Sequence, residues 1–121
     1  MTERERALHD IRPGDLFHVD GDHGYPIPCL ATALTDTTIL ARSITHQMNI
    51  EFDRRTGIGK GESFGLGGKI ASTAALPPDI HRALMGLDHR YRTTDPGPLS
   101  KAELRALVFI DDFYPANPLP P

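Results

Sequence analysis

Residues 76–91, LPPDIHRALMGLDHRY, mark the point at which the hydrophobic pattern of this chain changes its period. Apolar side chains recur there every three or four residues, at Ile80, Ala83, Leu84, Leu87 and Tyr91. This spacing places them along one face of an α-helix, and the preceding prolines suit a helix start. The sequence therefore predicts a helix over about residues 78–92 with one buried face.

A second helix-start signal follows at Ser100. Ser100 and Glu103 have the spacing of a capping box, in which each side chain accepts the backbone N–H of the other residue. Leu99 and Leu104 flank the box as a hydrophobic staple. We therefore predict a helix over about residues 100–114 that ends at Pro115. Its expected core-facing residues are Leu104, Leu107 and Val108, with Phe109, Ile110 and Phe113 widening the apolar surface.

Before residue 75 the apolar residues alternate or form short β-branched runs between turn-forming residues. The predicted strands cover Leu16–Val19, Ile27–Leu34, Ile39–Ile44, Met48–Asp53 and part of Ser63–Ile70. Short strands with many turns need closure or a cover to protect their edges. The expected fold is therefore α+β, with a small bent antiparallel sheet or barrel of four or five strands over about residues 12–72, followed by the two helices. This pattern resembles an SH3-like or Sm-like barrel.

The chain length of 121 residues suits a single domain covering residues 1–121. Residues 1–10 are charged and predict a flexible arm or one helical turn, and residues 115–121 are proline-rich and predict an extended tail. Cys29 is the one cysteine, which excludes an internal disulfide and indicates a buried thiol in a reducing compartment. No signal peptide or membrane-spanning run is visible, so the expected location is the cytoplasm.

The net charge of −3 argues against nucleic acid as the main partner, because phosphate binding requires a basic surface. A nucleic-acid module of the small-barrel type remains an alternative, with five basic residues as its candidate contacts. These are Arg42, Arg54, Arg55, Lys60 and Lys69.

Four residues near the end of the first strand could hold a metal ion or perform acid–base chemistry. They are His18, Asp20, Asp22 and His23, and they support a metal-assisted hydrolase or a metal-sensing site as a further alternative. The same Asp-Gly-Asp stretch is typical of a solvated turn.

No other motif predicts catalysis or a cofactor. The glycine-rich residues 57–68 lack the spacing of a phosphate-binding loop or a dinucleotide fingerprint. No Gly-x-Ser-x-Gly elbow marks a nucleophile. We therefore expect neither an enzyme nor a cofactor-binding protein.

The helix predicted over residues 78–92 carries four basic side chains away from its apolar stripe, namely His81, Arg82, His89 and Arg92. Such a face can hold an acidic partner. Asp79 and Asp88 dilute its charge, so the sequence favours a solvated surface.

The leading hypothesis is a small non-enzymatic interaction protein of bacterial type, acting as an adaptor, inhibitor or antagonist by covering a site on another protein. The expected contacts lie at two hairpin tips and comprise Asp20, Asp22, His23, Tyr25, Arg54, Arg55 and Lys60. Homodimerisation through a barrel edge or a helical face is a further expectation. The tail has Pro-x-x-Pro spacing, but we expect it to pack over the helices of its own chain.

Overall fold

The computed structural model describes residues 1–20, 26–60, 68–93 and 97–121. The strands in these ranges are β1 (Leu16–Asp20), β2 (Pro26–Leu34), β3 (Thr38–Ser43), β4 (Asn49–Asp53), β5 (Gly59–Lys60) and β6 (Lys69–Ser72). The helices are α1 (Glu3–His9), α2 (Pro78–Thr93) and α3 (Lys101–Ala116). Every one of these strands precedes residue 75 and both long helices follow it, which confirms the change of period predicted there.

The strands form one antiparallel sheet in the order β5-β4-β3-β2-β1-β6. Its two outer ends meet, because Ile58 bridges Lys69 and the N–H of Ile70 donates to the carbonyl of Gly57 at 2.8 Å. Register shifts in β1 and β2 add curvature to the sheet. The predicted small barrel followed by two helices is therefore confirmed as a nearly closed, barrel-like sheet.

Two strand predictions differ in detail from the structure. The sheet has one strand more than the four or five expected, because β5 is only two residues long and carries no apolar alternation. The strand predicted around Ser63–Ile70 is observed as β6, which begins at Lys69. Residues 61–67 lie outside the described residues.

β1 is buried on both faces, and this decides where the helices lie. Phe17 and Val19 point into the barrel, where Phe17 meets Phe52 edge to face with ring centroids 5.7 Å apart. Leu16 and His18 point outward and are covered by the C-terminal helices. The predicted burial of Cys29 is confirmed, and burial raises the pKa of its thiol, which disfavours the reactive thiolate.

The N-terminal segment contains helix α1 and packs against the barrel core. Thr2 caps α1 by accepting the N–H of Glu5 at 3.1 Å, and the Leu8 side chain is fully buried in the barrel core. Gly57 permits this contact, since its φ is +75° and a Cβ there would lie 3.2 Å from a Leu8 methyl carbon. Arg54 adds a hydrogen bond to the carbonyl of His9 at 3.2 Å.

α2 and α3 pack outside the barrel and bury a second apolar cluster against it. The cluster contains Leu16, Leu30 and Ile44 from the barrel, Ile80, Leu84 and Leu87 from α2, and Ala106, Ile110 and Tyr114 from α3. The capping box is confirmed, since Ser100 Oγ accepts the N–H of Glu103 at 3.1 Å and Glu103 Oε1 accepts the N–H of Ser100 at 2.7 Å.

The predicted buried face of α3 is wrong at Leu104 and Val108, whereas Ile110 is buried as expected and Leu107, Phe109 and Phe113 are partly buried against the second cluster. Leu104 and Val108 are 54% and 59% exposed, whereas Ala106, Ile110 and Tyr114 are buried. Apolar residues surround most of this helix, so several faces were compatible with the sequence. The helix also does not end at Pro115 as predicted. It continues to Ala116, with Pro115 in its last turn.

The C-terminal tail lies along β6 and not over the helices. The N–H of Leu119 donates to the carbonyl of Ala71 at 2.8 Å, and the Ser72 hydroxyl donates to the carbonyl of Asn117 at 2.6 Å. The Leu119 side chain is only 9% exposed and joins the barrel core. The tail therefore holds the end of α3 against the barrel.

Candidate functional site

The predicted partner-binding residues differ in exposure and in hydrogen bonding. Asp22, His23 and Tyr25 lie outside the described residues. Asp20, at the end of β1, and Arg55 are exposed. Lys60 is exposed but donates through Nζ to Thr38 Oγ1 at 2.7 Å.

Arg54 serves the fold in this structure. Its guanidinium donates to the carbonyls of Thr35 at 2.9 Å and His9 at 3.2 Å, which links α1 to the turn between β2 and β3. A role for the hairpin tips in binding stays a prediction.

The residues of the nucleic-acid alternative do not all share one free surface. Arg42 is held by Asp88, and Arg54 by the two carbonyls already described. Lys69 is exposed on β6. The side chains of Arg42 and Arg54 are thus occupied by contacts within the chain.

Of the four residues of the metal alternative, His18 and Asp20 lie within the described part of the chain, both on β1. The His18 ring stacks on Tyr114 with centroids 5.4 Å apart, while Asp20 is exposed. Asp22 and His23 lie outside the described residues. In the part of the chain that the structure describes, no three histidine, cysteine, aspartate or glutamate side chains come together as potential metal ligands.

Of the helices described here, none has both the length and the apolar character that crossing a bilayer requires.

Asp88 of α2 is the centre of a buried ionic cluster. Its carboxylate accepts two hydrogen bonds from the Arg42 guanidinium, at 2.9 and 2.8 Å, in a bidentate pair. The Gln47 amide donates to it at 3.0 Å and Arg92 Nε at 3.2 Å. Gln47 also donates to the carbonyl of Ile44, so the cluster joins α2 to the turn between β3 and β4.

The electrostatics of this cluster favour the ionised carboxylate. Burial raises the pKa of Asp88, but hydrogen bonds from Arg42 and Gln47 and the charges of Arg42 and Arg92 outweigh it, so the pKa lies below its usual value. Asp88 is only 1% exposed. Its charge is therefore neutralised inside the protein and does not dilute the outer face of α2.

Asp79, the other acid expected to weaken this face, lies toward α3. Its carboxylate is 3.8 Å from Arg105 of α3, and the Arg90–Glu103 ion pair joins the same two helices. Both pairs mark the flank of α2 that meets α3. Because Asp79 is engaged by Arg105, it dilutes the charge of His81 and Arg82 less than the sequence indicated.

An open groove of about 470 Å³ lies along this basic flank of α2. We call it the α2 groove, and its lining residues are Leu76, Pro78, His81, Arg82 and Met85. Within the described residues, the side chains of His81 and Arg82 have no hydrogen bond or ion pair. The groove thus combines an apolar surface with two unpaired basic groups.

Two of the groove residues were recognisable in the sequence. His81 and Arg82 were predicted as basic residues away from the apolar stripe, whereas the apolar surface of Leu76 and Met85 beside them was not predicted. Met85 follows His81 by four residues and Arg82 by three, and that helical spacing was the available signal.

His18 lies in a second buried environment, between β1 and α3. Within the described residues, its Nδ1 atom and the hydroxyl of Tyr114 have no hydrogen-bond partner. Burial lowers the pKa of His18, and the nearby Asp20 charge opposes this only in part. The folded protein therefore favours a neutral imidazole at this position.

We expect the stability of the protein to fall as the pH decreases from 7 to 5.5. The pKa of His18 is lower in the folded than in the unfolded chain, so the unfolded chain binds more protons below about pH 6.5. The loss cannot exceed about 1.4 kcal/mol per pH unit for one proton. Denaturant unfolding at several pH values measures it.

The matched control replaces an exposed histidine. His18→Phe should flatten the pH dependence in this window, because phenylalanine can keep the stacking on Tyr114 without titrating. His89→Phe, on the exposed surface of α2, should leave it unchanged. An unchanged slope in His18→Phe would contradict this assignment.

Comparison of the chain with protein-family models, with curated proteins and with solved structures gave no match in any of the three.

Proposed function

We propose that this protein is a small non-enzymatic interaction protein whose α2 groove binds an acidic segment of another protein. An aliphatic or aromatic side chain of that segment would enter the groove beside Leu76 and Met85. Carboxylates flanking that side chain would pair with Arg82 and His81. The observation that carries the proposal is the presence of unpaired basic groups around an apolar groove on a protein of net charge −3.

The dimensions and chemistry of the groove support a side-chain anchor. Pockets of about 300–1,000 Å³ accommodate small ligands, so a groove of about 470 Å³ has room for one or two large side chains. Methionine is unbranched and polarizable, and Met85 can adjust to anchors of different shape. Apolar contact would supply affinity, while the basic groups would select acidic segments and orient them.

The bidentate Asp88–Arg42 pair supports the proposal indirectly. By joining α2 to the barrel, it fixes the helix that carries His81, Arg82 and Met85. A groove on a fixed helix loses less conformational entropy on binding than one on a mobile segment. Covering a site on the partner would let the protein act as an adaptor or inhibitor. We place this activity in a reducing compartment such as the cytoplasm, since Cys29 is a free, buried thiol.

We expect short peptides with two glutamates beside one leucine, methionine or phenylalanine to bind, and their glutamate-to-lysine versions not to bind. Arg82→Glu should weaken binding about tenfold or more, because it replaces an attractive charge with a repulsive one. Fluorescence anisotropy of labelled peptides measures both effects.

The matched control is Arg55→Glu, which makes the same change on an exposed side chain at a hairpin tip. It should leave the affinity unchanged if the α2 groove is the binding site. Loss of binding in Arg55→Glu with retention in Arg82→Glu would contradict the proposal, as would the absence of binding by any acidic peptide.

A further inference from the structure

The side of α3 that faces solvent carries an apolar pair with opposite charges beyond its two ends. Leu104 and Val108 are 54% and 59% exposed, and Lys101 and Asp111 are also exposed. At 100° per residue, these four positions fall within a sector of about 80°. We call this stripe the α3 outer face.

Lys101 of the α3 outer face lies opposite to the preference of the helix dipole. It is the first residue of α3, where acidic groups are favoured, while Asp111 lies in the second half of the helix. Within the described residues, neither side chain has a hydrogen bond or ion pair. Contacts within the chain therefore do not explain why Lys101 and Asp111 stand at these positions.

The stripe is complementary to itself when it is reversed. Leu104 and Val108 are each two residues from Ala106, and Lys101 and Asp111 are each five residues from it, about 7.5 Å along the helix axis. A two-fold axis that lies in the interface, perpendicular to the helix and at the level of Ala106, brings Leu104 level with Val108 of the second copy and Lys101 level with its Asp111.

We propose that the α3 outer face binds the same face of a second copy of this chain, with the two helices antiparallel. The symmetric interface would bury the Leu104–Val108 pair of each copy and form the Lys101–Asp111 ion pair twice. The antiparallel arrangement also places Asp111 beside the N-terminal end of α3 in the partner copy, where an acidic group is favoured. Such isologous contacts are the commonest form of protein dimer.

The dimer would be weak because two exposed apolar residues and one ion pair per copy form a small interface. We expect half of the chains to be dimeric at a total protein concentration of about 10–100 µM. This affinity is lower than is typical of larger interfaces. The α2 groove lies on the flank of α2 away from α3 and would remain open in the dimer.

Analytical ultracentrifugation of the full chain over a concentration series tests the proposal. The wild type should show a monomer–dimer equilibrium, and Val108→Glu should weaken it at least tenfold. Ile58→Glu is the matched control, because Ile58 is an apolar residue with a similar exposure of 55% on the barrel. It should leave the equilibrium unchanged.

A charge exchange tests the antiparallel register. Lys101→Asp and Asp111→Lys should each weaken dimerisation several-fold, and the double variant should regain the affinity of the wild type. Failure of the double variant to recover would overturn the proposal, and so would a wild type that stays monomeric at all concentrations. Loss of the dimer in Arg82→Glu would also overturn it, since the second copy would then occupy the α2 groove.

Discussion

We expect Asp88→Ala to lower the free energy of unfolding by about 3–5 kcal/mol. The substitution removes a carboxylate that is 1% exposed and leaves the Arg42 guanidinium, whose side chain is 19% exposed, without its buried partner. Removing one member of a buried pair is costly because the remaining charge is desolvated without compensation. Urea unfolding at pH 7 measures the change.

Asp79→Ala is the matched control, because it removes a carboxylate from the same helix at a side chain that is 60% exposed. Surface ion pairs contribute about 0–1 kcal/mol, so this variant should remain close to the wild type. If Asp88→Ala lost no more stability than Asp79→Ala, the Asp88 cluster would not be what fixes α2 on the barrel.

The same cluster should contribute to acid sensitivity. Because the pKa of Asp88 is lower in the folded than in the unfolded chain, its contribution is complete above about pH 4. It is lost as the pH falls through the folded-state value. Asp88→Asn should therefore unfold less steeply with acid than the wild type.

The second large effect concerns the N-terminal helix. Leu8→Ala should lower the free energy of unfolding by about 2–5 kcal/mol, because the Leu8 side chain is fully buried in the barrel core, with Gly57 close beside it. Stabilities of small domains are about 5–15 kcal/mol, so this change is a large fraction of the total. Thermal and urea unfolding both detect it.

Leu104→Ala makes the same chemical change at a side chain that is 54% exposed. Measured at concentrations where the chain is monomeric, it should change stability by less than about 0.5 kcal/mol. Equal effects of the two leucine substitutions would show that residues 1–10 behave as a flexible arm after all.

Local patterns were sufficient to predict much of the fold. The alternation in β4 and the three-to-four-residue spacing in α2 each specify one buried face, and the Ser100–Glu103 box specifies a helix start. The role of Leu8 was not predictable in this way, because Gly57 and the barrel core that Leu8 joins are distant from it in sequence. The buried face of α3 was predicted only in part, because apolar residues surround that helix and the sequence did not distinguish Ala106 and Tyr114 from Leu104 and Val108.

The candidate site was harder to predict than the fold because it depends on which acidic residues are neutralised. In the sequence, Asp88 and Asp79 both reduce the positive charge of α2. In the structure, Asp88 is buried against Arg42 of β3, which is 46 residues away in the chain. Only the tertiary contact shows that the charge of Arg82 is not offset by Asp88.

The most direct test of the account is an NMR titration of the ¹⁵N-labelled protein with the tightest-binding acidic peptide. We expect the largest amide shift changes at residues 76–85, which include the α2 groove, and much smaller changes at Asp20, Arg54 and Arg55. Shift changes centred on the hairpin tips, or none at saturating peptide, would contradict the assignment of binding to the α2 groove.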